Sequence, residues 1–348
     1  MFERFTEQVR RGEHLTAGQI TEAVELLTNP DCLPIQKAAF LEAFARKGET
    51  VDEISAFVRA LRKKSIEPPL DPKLREGTIL DVCGTGGDQA GTFNISTAVA
   101  IVVAAAGIPV AKHGNRAITS KSGSADVLEA LGVRIDLSPV EAARSLRDKS
   151  FAFFFAPAFH PAFKHIAPAR RLCAEKGQRT IFNILGPLLN PARPNAQLIG
   201  VPRPELCDPI ARVLQTLDVR YGMVACGALK SPQLYFDEFS TAGVTTVAQF
   251  DSPAREPTIS TVHSDEFPVQ PVGLDQLLGG DARANAEILL RIFRGEDCGP
   301  KRDAIVLNAA AALFVARRAD SIRHGWDLAV NLIVNGAAFA KLTELTER

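Results

Sequence analysis

Through residues 1–70, apolar side chains recur three and four positions apart: Ile20, Ala23, Val24 and Leu27; Phe40, Leu41, Phe44 and Ala45; Ile54, Phe57, Val58 and Leu61. That interval places each set on one face of an α-helix. No alternating strand pattern interrupts them. Thr16 and Thr50 precede helical runs as candidate N-caps, and Glu53 follows Thr50 at capping-box spacing. Glu67-Pro68-Pro69-Leu70-Asp71-Pro72 then breaks the pattern, because proline donates no amide hydrogen bond and restrains the residue before it. Residues 1–70 read as a small helical domain and 71–348 as a larger one, with this segment as the connector.

From Thr78 the period changes. Short β-branched runs such as Thr78-Ile79-Leu80-Asp81-Val82 alternate with alanine-rich helical stretches such as 98–106. Further candidate strands are 109–111, 151–155, 197–201 and 221–225, with a longer region of antiparallel character at 244–250. Residues 286–293 and 303–316 read as late helices. Alternation of this kind predicts an α/β fold, a mostly parallel central sheet flanked by helices. No internal repeat or low-complexity segment is evident.

Composition narrows the function classes. Forty basic residues balance forty acidic ones, so the molecule has no overall cationic field for nucleic acid, and a polyanion site must be local. No apolar run reaches the roughly 20 residues of a membrane-spanning helix. Cys32, Cys83, Cys173, Cys207, Cys226 and Cys298 lie far apart, without zinc-ligand or redox spacing, and read as reduced, mostly buried thiols. The opening residues lack the basic-then-apolar order of a secretory signal, so a cytoplasmic protein is expected.

Candidate chemistry begins where the first strand ends. Gly84-Thr85-Gly86-Gly87-Asp88 leads through Thr92-Phe93-Asn94-Ile95-Ser96-Thr97 into an alanine-rich helix. Glycines let successive N–H groups turn toward an anion, and a helix N-terminus adds unpaired donors. The loop is neither a dinucleotide fingerprint nor a P-loop, since Gln89 stands where a third glycine is needed and no Gly-Lys-Ser/Thr follows. A tight strand-to-helix turn is the competing reading.

A second polar cluster follows the next strand: Lys112-His113-Gly114-Asn115-Arg116-Ala117-Ile118-Thr119-Ser120, then Gly123 and Ser124. Parallel strands that both end in polar loops bring them to one sheet edge, where open α/β folds bind ligands. A solvated basic turn remains the alternative. Asp237-Glu238, flanked by Leu234-Tyr235-Phe236 and Phe239, is a candidate pair for a divalent cation, although acidic pairs are also common surface features. Arg170 offers a planar guanidinium suited to a carboxylate. His160 and His165 read as structural histidines rather than bases.

Together these stretches resemble the anthranilate phosphoribosyltransferase family: the Gly84 and Asn94 motifs, Lys112-His113-Gly114-Asn115-Arg116, residues 123–132, and Arg179-Thr180-Ile181-Phe182-Asn183-Ile184-Leu185-Gly186-Pro187-Leu188. The match extends from Gly48-Glu49-Thr50 to Arg302-Asp303-Ala304-Ile305-Val306-Leu307-Asn308. The resemblance implies a helical domain joined by helices from about 165–190, an α/β domain, a substrate cleft between them and a homodimer formed through the helical part. It implies that Gly84, Gly87, Asp88, Thr92, Asn94, Ile95, Ser96, Thr97, residues 112–120 and Ser124 bind phosphoribosyl pyrophosphate. It further implies that Gly84, Asn115 and Arg170 bind anthranilate, and that Ser96, Asp237 and Glu238 hold Mg2+, with no dedicated catalytic acid or base.

Two stretches depart from the family pattern. Cys226-Gly227 stands where His-Gly is usual, with a longer 228–236 connection, and 172–178 is longer by a few residues. A pyrimidine nucleoside phosphorylase, similar in fold, is the nearest enzymatic rival. A non-catalytic nucleic-acid-binding homologue is the rival from another class, and it calls for a basic excess absent here.

Overall fold

The computed structural model describes residues 2–88, 90–117, 121–229, 234–269 and 272–347. Four helices open the chain: α1 Phe2–Arg10, α2 Ala17–Thr28, α3 Pro34–Lys47 and α4 Val51–Arg62. Thr50 and Glu53 form the expected capping box, and Thr16 forms a second with Gln19. The apolar faces meet in a run of rings, Phe2, Phe40, Phe44 and Phe57, with successive centroids 5.5, 5.7 and 5.2 Å apart.

A helix from mid-chain, Ala167–Glu175, packs on α3 and adds Ala169 and Cys173 to this core. The buried ammonium of Lys37 pins it there, donating to the carbonyls of Asn29 at 2.7 Å and His165 at 2.9 Å. The same cluster continues through Leu185, Leu188 and Ile210 onto one face of the sheet, so the bundle and the sheet share apolar surface.

The strands are β1 Leu80–Gly84, β2 Val110–Gly114, β3 Phe151–Phe155, β4 Ala196–Gly200, β5 Tyr221–Ala228, β6 Tyr235–Phe236, β7 Val244–Phe250 and β8 Thr258–His263. Their order is β3-β2-β1-β4-β5-β7-β8, with β6 beside β5. The first five run parallel, as expected. β6 and β7 pair antiparallel with β5, and β8 with β7. The periodicity of the chain does not reveal β8, because it is an edge strand exposed along nearly its whole length, so no side-chain alternation marks it.

The helices Ile322–Val334 and Ala337–Thr346 were likewise not anticipated; the second packs on the helix Ile95–Ala105. Residues 95–104 are buried except Ser96, because that helix lies between the sheet and the late helix Pro300–Val315. Among the described residues no single helix is long and apolar enough to cross a membrane. All six cysteines are free; Cys173, Cys207 and Cys226 are buried, and Cys298 is exposed.

Candidate active site

Because β1, β2, β4 and β5 are parallel, their C-terminal ends share one edge of the sheet, and the polar loops predicted there converge. β5 turns back through β6 and lays Asp237 and Glu238 across the ends of β1, β4 and β5. The fit leaves no room for side chains beneath. A Cβ at Gly84 would lie 2.1 Å from Asp237 Oδ2, at Gly200 1.5 Å from the Asp237 carbonyl oxygen, and at Gly227 2.4 Å from the Glu238 carbonyl oxygen. The Cys226-Gly227 pair thus supplies one of three glycines that the acidic turn requires. Residues 230–233 of the longer connection lie outside the described residues.

Asp237 Oδ2 accepts the Gly86 N–H at 2.7 Å, and the Asp237 N–H lies 3.5 Å from Asp88 Oδ2. Gly86 and Gly87 have φ of +72° and +79°, a conformation that glycine adopts without strain. Burial, and then the neighbouring charge of Asp88, push the Asp237 carboxyl up to about 7. Burial and the charge of Asp237 hold Glu238 well above the usual carboxylate range, offset in part by Lys112 and the Ser96 N–H.

Lys112 is buried and donates to the Val82 carbonyl at 2.8 Å and to Ser96 Oγ at 3.3 Å; burial lowers its pKa. Ser96, Asp237 and Glu238 are therefore neighbours. Their donors are all oxygen, which suits a hard divalent ion. No three His, Cys, Asp or Glu side chains form a complete cation cage among the described residues. Mg2+ characteristically takes one or two carboxylates and completes its shell with substrate phosphates and water.

The start of the helix Ile95–Ala105 is tied to its surroundings through Asn94. Its Nδ2 donates to the Ser122 carbonyl at 3.3 Å, and its Oδ1 accepts from Asn285 Nδ2 at 2.8 Å. Thr92 pairs with Leu278 in an isolated bridge. Ile95 and Thr97 are buried in the core, whereas Ser96 is half-buried beside Lys112.

In the second loop Arg116 points away from Lys112. It donates to Asp126 at 3.0 Å and to Glu129 at 2.7 and 3.1 Å, and these acids hold its pKa above the usual guanidinium value. Asp126 Oδ2 also accepts the Ala117 and Gly123 N–H groups, at 2.9 and 3.0 Å, which folds the loop onto the helix Ser124–Ala130. Ile118, Thr119 and Ser120 lie outside the described residues.

Side chains alternate along a strand, so His113 faces the opposite side of β2 from Lys112. There its ring lies 5.1 Å from His160, which lies 5.3 Å from Phe163, which in turn lies 5.7 Å from Phe182. The Arg170 guanidinium closes the row 5.3 Å from the Phe182 centroid. Burial, then their mutual proximity, bring His113 down to about 3; burial brings His160 down to about 4. Both are neutral at pH 7, so the row is an uncharged wall of rings packed at steep angles, 67°, 59° and 86° between successive planes, ending in a cation. The longer 172–178 stretch follows Arg170 and leaves it facing this wall. No spacing in the sequence signals the contact of Phe163 with Phe182, which joins two short helical segments nineteen residues apart.

Arg179 was given no role from sequence. The structure brings its guanidinium to the Gly87 carbonyl at 3.2 Å, tying the stretch after the helix Ala167–Glu175 to the glycine loop.

Comparison with known proteins agrees along the whole chain. Residues 3–65 match the Glycosyl transferase family, helical bundle domain, and residues 76–339 the Glycosyl transferase family, a/b domain. The anthranilate phosphoribosyltransferase of Petrotoga mobilis is 43% identical over 347 residues, covering 100% of this chain and 96% of its own. The solved anthranilate phosphoribosyltransferase of Thermus thermophilus superposes with a TM-score of 0.87 at 34% identity, covering 98% of each chain. That of Saccharomyces cerevisiae, in complex with PRPP and Mg, gives 0.87 at 25% identity, covering 99% of this chain and 96% of that one. With sequence and fold matched from end to end, this chain belongs to the anthranilate phosphoribosyltransferase family.

Proposed function

We propose that this cleft transfers the phosphoribosyl group of phosphoribosyl pyrophosphate to the amine of anthranilate, giving N-(5-phosphoribosyl)anthranilate and pyrophosphate, a step of tryptophan biosynthesis. One observation carries the reading: a glycine loop crossed by an acidic turn lies on one side of the β2 end, and a neutral wall of rings ending in Arg170 lies on the other. The first suits a polyphosphate with its metal, the second a planar aryl carboxylate.

In this reading Gly84, Gly87, Asp88, Thr92, Asn94–Thr97, the 112–120 loop and Ser124 hold the phosphorylated sugar. Gly84, Asn115 and Arg170 hold anthranilate. Ser96, Asp237 and Glu238 hold magnesium, which when bound supplies positive charge against the departing pyrophosphate. Loop N–H groups and the Lys112 ammonium steady the same leaving group as the bond from ribose C1 to oxygen breaks. The anthranilate nitrogen forms the new bond to C1 and then loses a proton. An aromatic amine is already neutral at pH 7, so orientation by Arg170 and the wall does the work that a strong base would do elsewhere.

Two results are expected from single substitutions. Arg170→Ala raises the KM for anthranilate about tenfold or more while changing kcat less, since a hydrogen bond to a charged group contributes about 1.5–3 kcal/mol; an unaltered KM rejects the assignment. Arg179→Ala raises the KM for phosphoribosyl pyrophosphate by about two- to tenfold through loss of its hold on the glycine loop. Arg116→Ala, whose partners are Asp126 and Glu129, has the smaller effect; the reverse order rejects this reading of the loop.

Residues 1–70 and 71–348 act as two domains about the proline segment, and the enzyme is a cytoplasmic homodimer. Leu33 and Ile35, 58% and 57% exposed at the start of α3, favour a partner on the helical side, and the six free cysteines favour a reducing compartment. Sedimentation at micromolar protein tests the dimer. Loss of anthranilate fluorescence with phosphoribosyl pyrophosphate, dependent on Mg2+ and confirmed by product mass, tests the activity; folded protein that gives no loss overturns it.

A further inference from the structure

We propose that Asn308 is a positioning residue for the acidic turn, acting on Asp237 and Glu238 from a helix about seventy residues later in the chain; the inference rests on the metal role proposed for that turn. Residues 304–313 of the helix Pro300–Val315 are all buried, and Asn308 is the one polar side chain among them. Asparagine is a poorer helix former than the alanines around it, and in an apolar core it is costly unless its amide is hydrogen-bonded.

Here it is. Oδ1 accepts the Phe239 N–H at 2.8 Å, while Nδ2 donates to the Phe239 carbonyl at 3.1 Å and to the Ala304 carbonyl at 2.9 Å. The bond to Ala304, one turn back in its own helix, sets the orientation of the amide. The other two grip the main chain directly after Glu238.

The Phe239 N–H shares a planar peptide with the Glu238 carbonyl and points the opposite way. That carbonyl is the one packed against Gly227 so closely that a Cβ there would lie 2.4 Å from it. One peptide unit is thus held from both sides, by the end of β5 and by Asn308. The next residue is held independently: the Ser240 N–H donates to Thr245 Oγ1 at 2.9 Å, and Ser240 Oγ donates to the Ala228 carbonyl at 2.7 Å. Asp237 and Glu238 belong to no strand or helix, so these clamps and the glycines beneath are what aim their carboxylates. Neither Asn308 nor Thr245 needs to touch a ligand. Loss of either lets the turn shift, and the deficit falls on metal binding while the aryl wall on the other side of β2 is untouched.

The test titrates Mn2+, standing in for Mg2+, into full-length protein saturated with phosphoribosyl pyrophosphate and lacking anthranilate, so that no turnover occurs. Protein-bound ion is followed by water-proton relaxation against a protein-free control, with thermal melting in parallel. Asn308→Ala is expected to weaken Mn2+ binding about tenfold or more, as removal of partners that orient metal ligands does elsewhere. Thr245→Val, nearly isosteric but lacking the acceptor for Ser240, weakens it in the same direction, and anthranilate binding in both stays at the wild-type value. If Asn308→Ala does not fold, Thr245→Val decides. Folded variants with wild-type Mn2+ affinity, even with lowered melting temperature, overturn the positioning role alone. Wild-type protein that takes up no Mn2+ beside phosphoribosyl pyrophosphate overturns the metal role of the turn and this inference with it.

Discussion

Replacing Asp237 and Glu238 together with alanine is expected to lower magnesium-dependent kcat/KM by about 10²–10³-fold, the range seen when a preorganised charge-stabilising contact is removed, while the folded protein becomes more stable in the absence of metal. The two effects have one cause. Both residues are half-buried; desolvation first, and then repulsion among them and Asp88, raises their pKa values, Asp237 to about 7. A carboxyl whose folded pKa exceeds its unfolded value penalises folding once ionised. The penalty is absent below the unfolded value of 3.8, grows as pH rises, and is complete above about 7 for Asp237. Wild-type metal-free protein should therefore lose melting temperature between pH 4 and pH 8 relative to the double variant, and adding Mg2+ with phosphoribosyl pyrophosphate should restore it. Melting curves at both pH values, with steady-state kinetics at the higher, check this. Unchanged kinetics remove the acids from the metal site, and a double variant less stable at pH 8 contradicts the cost of ionising half-buried, mutually repelling acids.

Gly200→Ala is the second large effect, and it requires no change in charge. A Cβ at this position would stand 1.5 Å from the Asp237 carbonyl oxygen, a backbone atom that cannot rotate aside. The acidic turn must lift away from the sheet, leaving its pairing with Gly86 and its clamp at Phe239 strained or broken. Overpacking of this kind costs about 1–3 kcal/mol or more in stability, and the displaced carboxylates should lower kcat/KM as far as their removal does. Gly86→Ala is the informative contrast. There the new methyl meets nothing within 4 Å, and the cost is that of a left-handed φ of +72°, about 1–2 kcal/mol, with a far smaller loss of activity. Equal activities in the two variants would mean that the packing beneath Asp237 does not set the site.

Much of the molecule was legible from residue spacing. The helical first domain followed from three- and four-residue apolar intervals, the capping box at Thr50 from one threonine and one glutamate, and the parallel strands from β-branched runs ending in glycine loops. Family resemblance then marked Ser96, Lys112, Asp237 and Glu238, which the fold brings together. Motif membership does not show what the structure adds at Arg116, whose guanidinium pairs with two acids of the following helix.

The features readable in the chain alone are those written over a few residues: period, caps, turn chemistry, and which residue types stand at strand ends. These follow from backbone geometry, which repeats locally and needs no knowledge of the rest of the chain. The folded arrangement alone shows that Gly200 and Gly227 make room for Asp237 and Glu238, that Phe182 lies between Phe163 and Arg170, and that Asn308 holds Phe239. Each of those contacts joins separate elements, several of them far apart in sequence, and its existence depends on where the chain returns, which buried surface and close packing settle over the whole molecule at once.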